Sequence, residues 1–270
     1  MLFSNSTSEN ENLFNKLEIS YVVPVYVENI SSTPLRDAIL KYSNYSAEVL
    51  SKLQFIFVDD CSPVPIEIPD NCKLNFQLFR IMDNIPWNQG GARNIGVVHA
   101  RTSKLILTDI DHVFPENILQ ELIKERLPKV IYKFNRSRDG QRVKPHPNTF
   151  FCTKSLFFKS LGVDEEFAGS YGYTDKSFIE LQKALGTKFR MYHSRYQILH
   201  TEHANTEQPQ HALSRDTNRN FQLLQKKLQL IKSKNPLAAH SRLFLNFNWI
   251  KVKEKMNGQL ITAPYKLPYQ

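Results

Sequence analysis

Cysteine is scarce in this chain, and no stretch of it is uniformly apolar. Three cysteines in 270 residues, Cys61, Cys72 and Cys152, are too few and too irregularly placed for a disulfide framework or a CxxC metal knuckle. They read as structural thiols of a reducing compartment. No apolar run approaches the roughly 18–20 residues that cross a bilayer, and the opening MLFSNSTSENENLF lacks the basic and apolar segments of a secretory signal. The expectation is a cytoplasmic protein with no transmembrane segment. Internal repeats are absent, and low complexity is confined to the polar residues 1–16, expected as a flexible arm. With 41% hydrophobic residues, the chain has material for one substantial core.

Acidic residues are the next shortage, and it is local. From Arg215 onward the chain carries eleven Lys/Arg against Asp216 and Glu254, which equals the whole chain's net charge of +9. A basic C-terminal face attracts polyanionic glycan, nucleic acid or the anionic headgroups at the inner face of a membrane. The other reading is a solvated helix face.

What is there alternates between strand and helix. The run ISYVVPVY at 19–26 is a buried strand, and Thr33-Pro34 caps and opens an amphipathic helix expected to reach about residue 53. Strands follow at 55–58, 76–82 and 105–108, with a helix at 88–101 entered through Gly90-Gly91. This spacing predicts βαβ units and a mainly parallel sheet, with ligands beyond the carboxyl ends of the strands. The second half reads as a helix at 115–125, a strand at 130–134, a basic loop at 136–147, and a strand at 149–153. A short helix to 161 then leads to a Gly-containing loop, a helix at 174–185 and strands at 189–192 and 198–200. Phe221, Leu224, Leu228 and Ile231 recur at helical spacing and predict a long helix docked by one apolar face.

Two acidic pairs sit at strand ends. Asp59-Asp60 follows the second strand, and Asp109-Ile110-Asp111 follows the fourth. Residues two apart on an extended chain project to one side, so Asp109 and Asp111 can share a cation, and oxygen ligands suit Mg²⁺ or Mn²⁺. On such a chain His112 turns away from the pair, and it receives no role.

The strings VVPVYVE at 22–28, FVDDCS at 57–62, GGARNIG at 90–96 and LTDID at 107–111 resemble the ordered motifs of family 2 glycosyltransferases. The resemblance covers about residues 19–205 and implies an α/β chain of the GT-A fold with a Rossmann-like, mainly parallel sheet flanked by helices. It implies an inverting, metal-dependent transfer of a sugar from a nucleotide-sugar donor, with UDP-sugars the commonest in the family. By that resemblance the donor is bound by Pro24, Val25, Tyr26, Glu28, Asp59, Arg93, Asp109 and Ile110, and the divalent metal by Asp111. Asp175, in GSYGYTDKSF at 169–178, stands where the family places its catalytic base, with Thr174 where Glu is common. A carboxylate there also suits a helix N-terminus. His200 occupies the position of an extra metal ligand in several relatives, with His203 as the alternative. His146, in KPHPN at 144–148, falls where relatives build the acceptor wall or in an ordinary irregular connection, and Trp87 either stacks on a sugar face or packs under the sheet.

These readings divide the chain into an arm (1–16), a catalytic domain (17–205) and a helical basic C-terminal extension (206–270). Within the domain, 17–112 binds the nucleotide sugar and 113–205 the acceptor. The acceptor is a glycan or lipid-linked saccharide; alternatives are a modified base in DNA, as for some phage enzymes, and an inactive GT-A-like binding protein. A nucleotidyltransferase would carry a Gly-rich basic loop after the first strand, where this chain has Tyr26-Val27-Glu28-Asn29.

Overall fold

The computed structural model describes residues 16–29, 34–201 and 213–262. Residues 1–15, Thr33 and His203 lie outside the described residues, so the arm, the first cap and the alternative ligand are not placed. In chain order the first half contains β1 (Ile19–Val25), α1 (Pro34–Ser43), α2 (Ala47–Leu50), β2 (Leu53–Asp59), β3 (Phe76–Ile81), α3 (Gln89–Val98) and β4 (Lys104–Leu107). The helix expected to run to residue 53 divides, because the chain turns at Asn44 and Tyr45 and Ser46 then caps α2, accepting from the Val49 N–H at 3.4 Å.

The second half contains β5 (His112–Val113), α4 (Glu116–Lys124), β6 (Ile131–Lys133), β7 (Asn135–Arg138), β8 (Gln141–Val143), β9 (Phe150–Thr153) and α5 (Lys154–Lys159). A 3-10 turn (Glu165–Phe167) precedes α6 (Thr174–Ala184), β10 (Phe189–Met191), β11 (Gln197–His200), α7 (Asn218–Ile231), β12 (Trp249–Met256) and β13 (Gln259–Thr262).

Nine strands form one sheet in the order β10-β6-β9-β4-β1-β2-β3-β12-β13, with β4, β1, β2 and β3 parallel at its centre. Strand β1 is buried on both faces and alternates. Tyr21 and Val23 pack against Leu35 and Ile39 of α1 and Leu119 of α4, whereas Val22 joins Ala92 and Ile95 of α3 on the other face. Gly96 permits that second contact, because a Cβ there would lie 2.3 Å from Val22 Cγ1. A small second sheet, β5-β11-β7-β8, stands beside the first.

The basic stretch expected as a loop is a hairpin of β7 and β8. Asp139-Gly140, both at positive φ (49° and 77°), makes its two-residue turn. The expected C-terminal helix is present as α7, but it docks differently. Its buried face is Asn220, Leu224 and Lys227, while Phe221 is 46% exposed. Two strands that helical periodicity did not mark follow it, and β12 closes onto β3 in antiparallel register. Among the described residues no helix is long and apolar enough to cross a membrane.

Candidate active site

The carboxyl ends of β1, β2 and β4 open into a cleft of 660 Å³. Of the residues singled out by sequence, Pro24, Val25, Tyr26, Trp87, Asp109, Ile110, Asp111, His146 and Asp175 line it. Asp59, Glu28, Arg93 and His200 do not. A hollow of 690 Å³ lined by Arg36, Ile66, Pro69 and Val252 contains none of these residues.

At the end of β2 the two aspartates part. Asp59 is locked beneath the surface by Arg80 Nη1 at 2.5 Å and by the Ser62 N–H, which donates at 2.9 Å. Asp60 reaches the cleft instead, with Oδ1 buried and without a hydrogen-bond partner. Burial, then the charge of Asp59, pushes the Asp60 carboxyl up to about 8. The folded chain therefore holds a proton there that the unfolded chain releases near pH 3.8. Stability contributed by that proton falls as pH rises from about 4 to about 8 and levels off above it. Replacing Asp60 with asparagine is expected to flatten this slope, so that the variant melts several degrees above the parent at pH 8.5 and close to it at pH 5. Thermal unfolding across that range measures the difference, and parallel curves would refute it.

The tip after β4 is a turn, not an extended chain. The His112 N–H donates to Asp109 O at 3.2 Å, which brings the His112 ring back against Asp111, contrary to the expectation that it turns away. Asp109 is saturated: Arg93 Nη2 (2.6 Å) and Gln89 Nε2 (2.8 Å) donate to Oδ1, and Asn148 Nδ2 (3.2 Å) donates to Oδ2. His146 stands 3.6 Å from Asp109 Oδ2, so it belongs to this tip as well as to the cleft wall; burial pushes its imidazole down to about 4.

Asp111 is different. Its Oδ1 is buried, and although His112 Nδ1 lies 2.8 Å away the pair makes no aligned hydrogen bond. Burial works to raise Asp111, but His112, His146 and His200 outweigh it and hold the carboxylate at about 2. Arg136 Nη1 lies 3.0 Å from both His112 Nε2 and His200 Nδ1. A guanidinium only donates, so the nitrogens facing Arg136 accept, and the rings' hydrogens sit on the nitrogens facing Asp111. His200 Nε2, 3.4 Å from Asp111 Oδ2, has no free lone pair while Arg136 holds this position. Among the described residues no three His, Cys, Asp or Glu side chains converge to hold a metal ion.

Asp175 lines the same cleft from the first turn of α6. Its half-buried carboxylate makes no hydrogen bond or ion pair among the described residues. The loop before it needs left-handed backbone at Gly169 (φ 90°), Gly172 (φ 85°) and Tyr173 (φ 65°), the first two natural for glycine. Trp87 braces this loop. Its ring packs 4.5 Å from that of Tyr171, and its Nε1–H donates to Ser214 O at 2.7 Å. Sequence reasoning missed Asp60, His112, Arg136, Gln89 and Asn148 as parts of the site. Asp60 carried a signal as the second member of a named pair, and Asn148 as the last residue of the KPHPN stretch.

The description "Glycosyl transferase family 2" matches residues 20–189, which takes in every motif from β1 to the start of β10. Among solved structures, S. aureus TarS 1-349 in complex with UDP-GlcNAc aligns at 12% identity with a TM-score of 0.59, over 82% of this chain and 69% of that one. A second structure, of S. aureus TarS, aligns at 14% identity with a TM-score of 0.57, over 82% of this chain and 41% of that one. The mannosyltransferase PcManGT from Pyrobaculum calidifontis, in complex with GDP-Man and Mn²⁺, aligns at 13% and 0.50, over 82% of this chain and 68% of that one. Among curated proteins no match was found. With three of the ordered motifs running into the carboxyl ends of β1, β2 and β4, the fourth opening α3, and the family match spanning most of the chain, this protein belongs to the family 2 glycosyltransferases and is an enzyme of that class.

Proposed function

We propose that the enzyme transfers a sugar with inversion from a nucleoside diphosphate donor, UDP-linked by preference, to a hydroxyl of a glycan or lipid-linked saccharide. The observation that carries this reading is that Asp111 and Asp175, contributed by the tip after β4 and by the first turn of α6, line a single cleft. The acceptor oxygen attacks the anomeric carbon opposite the diphosphate, the bond to the diphosphate oxygen breaks, and Asp175 takes the hydroxyl proton. Pro24, Val25, Tyr26 and Asp60 line the end of the cleft suited to the nucleoside. TarS with UDP-GlcNAc and PcManGT with GDP-Man support a nucleotide-sugar donor.

Asp111 fits a divalent ion, because its ionised carboxylate lines the cleft and its buried Oδ1 makes no aligned hydrogen bond. One or two carboxylates with diphosphate oxygens and water suffice for Mg²⁺ or Mn²⁺, which when bound masks the charge of the departing diphosphate. His200 can join only after Arg136 withdraws. Of the eleven basic residues from Arg215 onward, Lys227, Lys251 and Lys255 are engaged in internal bonds, which reduces but does not remove the charge open to a polyanionic acceptor.

Thermal melting with UDP, GDP, UDP-GlcNAc and GDP-mannose, each with and without Mn²⁺, tests the donor reading. At least one nucleotide with Mn²⁺ is expected to raise the melting temperature, and Asp111→Ala to weaken that metal-dependent binding at least about 10-fold by calorimetry. If none of the four stabilises the protein in the presence of Mn²⁺, the donor assignment is abandoned.

A further inference from the structure

The Gly-rich loop that leads to Asp175 does not hold itself. Its backbone hydrogen bonds are few, the Ala168 N–H to Glu165 O and the Gly169 N–H to Pro86 O among them. The left-handed residues turn a row of carbonyls toward one point instead. There stands Asn220 of α7, fully buried, with Nδ2 2.9 Å from Phe167 O, 2.8 Å from Ser170 O, 3.0 Å from Gly172 O and 3.4 Å from Tyr171 O. Its neighbour Arg219 donates to Ala168 O and Glu166 O, both at 3.1 Å, and Nη1 also donates to Asn220 Oδ1 at 3.0 Å. The latter bond orients the amide, because an oxygen that accepts from Arg219 leaves the NH₂ group facing the loop.

Asp175 itself makes no side-chain hydrogen bond or ion pair among the described residues, so its position is inherited chiefly from the backbone of Gly172, Tyr173 and Thr174. From this we infer that Asn220 is a positioning residue: one amide, contributed from outside the family-matched residues 20–189, sets where the Asp175 carboxylate stands in the cleft. The inference rests on the reading of Asp175 as the base. An amide at the focus of several carbonyls has no equivalent among residues of similar size. Aspartate matches its shape, yet it places an acceptor against acceptors.

Asn220→Asp, with Asn220→Ala beside it in case the first fails to fold, is the test. Crystal structures of the variants are expected to show Asp175 displaced by about 1 Å or more, with β1, β2 and β4 unmoved. Release of UDP from UDP-GlcNAc or of GDP from GDP-mannose is expected to lose about 100-fold in kcat, as misplacements on this scale do, with the nucleotide Kd unchanged. Asp175 unmoved in both variants overturns the inference, and so does a kcat equal to the parent's where Asp175→Asn is inactive. Asp175→Asn run in parallel separates the two readings. If that variant turns over like the parent while Asn220→Asp moves the loop, the base assignment fails and the positioning of the loop stands. If Asp175→Asn is inactive and Asn220→Asp leaves both the carboxylate and kcat unchanged, the positioning role alone fails.

Discussion

Asparagine in place of Asp175 is expected to lower sugar transfer about 10²- to 10⁴-fold, the range a positioned general base contributes, while nucleotide binding and the melting temperature stay near the parent's. The substitution keeps the shape of the side chain and removes only its ability to take a proton. Asparagine also suits the first turn of a helix, so α6 loses little more than the favourable interaction of a negative charge with the helix dipole. That interaction is worth about 0.3–1 kcal/mol at such a site. A residue that merely stabilised the helix start would show this small cost and full activity, which makes the two roles separable by one rate and one melting curve. Lys133 gives an independent signature. Burial lowers its ammonium and the charge of Asp175 pulls it back up, so the neutral variant should let Lys133 fall further. A variant as active as the parent would remove Asp175 from the chemistry.

Much of the sheet was legible because its strands state themselves. Every residue of β1 and β2 is buried, and a run of β-branched and aromatic side chains admits few other readings. The candidate site was legible where it lies at strand ends and less so where the chain turns. Alternation predicts that His112 faces away from Asp111, but the turn closed onto Asp109 O breaks the alternation, and no residue type announces it. Asp59 and Asp60 are adjacent and chemically equal. Only the position of Arg80, 21 residues on, decides that Asp59 is sealed and Asp60 meets the cleft. The C-terminal region hides its contacts for a different reason, which is that polar residues do the docking. Lys227 and Asn220 read as the solvated face of α7 yet are its buried face, and Glu254 interrupts an alternation of Val252 and Met256 that otherwise marks β12. Glu254 is buried against Arg101 and Lys251, partners that a local pattern cannot reveal.

Lys227 carries the largest expected effect on stability. Its ammonium is 4% exposed, 2.7 Å from Asp164 Oδ2, 2.6 Å from Glu166 Oε2 and 2.9 Å from Ala239 O, so all three of its donors are used. Methionine fills the same space without the charge and leaves Asp164, itself 6% exposed, as a buried anion supported by Ser241 and the Glu166 N–H but by no cation in contact with it among the described residues. Removing one partner of such a pair costs about 3–5 kcal/mol, which for a chain of this size is a fall in melting temperature on the order of 10 °C. Glu166 lies at the surface and can return to water, so the cost resides in Asp164. Burial works to raise the Asp164 carboxyl, but Lys227 and Ser241 hold it below its ordinary value. Its contribution is therefore present above pH 3.8 and lost as pH falls through the lower folded value. Without Lys227 that contribution disappears, so the gap between parent and variant should narrow on acidification. The double variant Lys227→Met, Asp164→Asn should recover part of the loss at pH 7. Equal melting of parent and Lys227→Met at pH 7 would show that α7 is held by something other than this triad. Because the triad sits two helical turns from Asn220, the same substitution should release the loop before Asp175 and lower transfer as well as stability, whereas Asn220→Asp should lower transfer far more than it lowers the melting temperature.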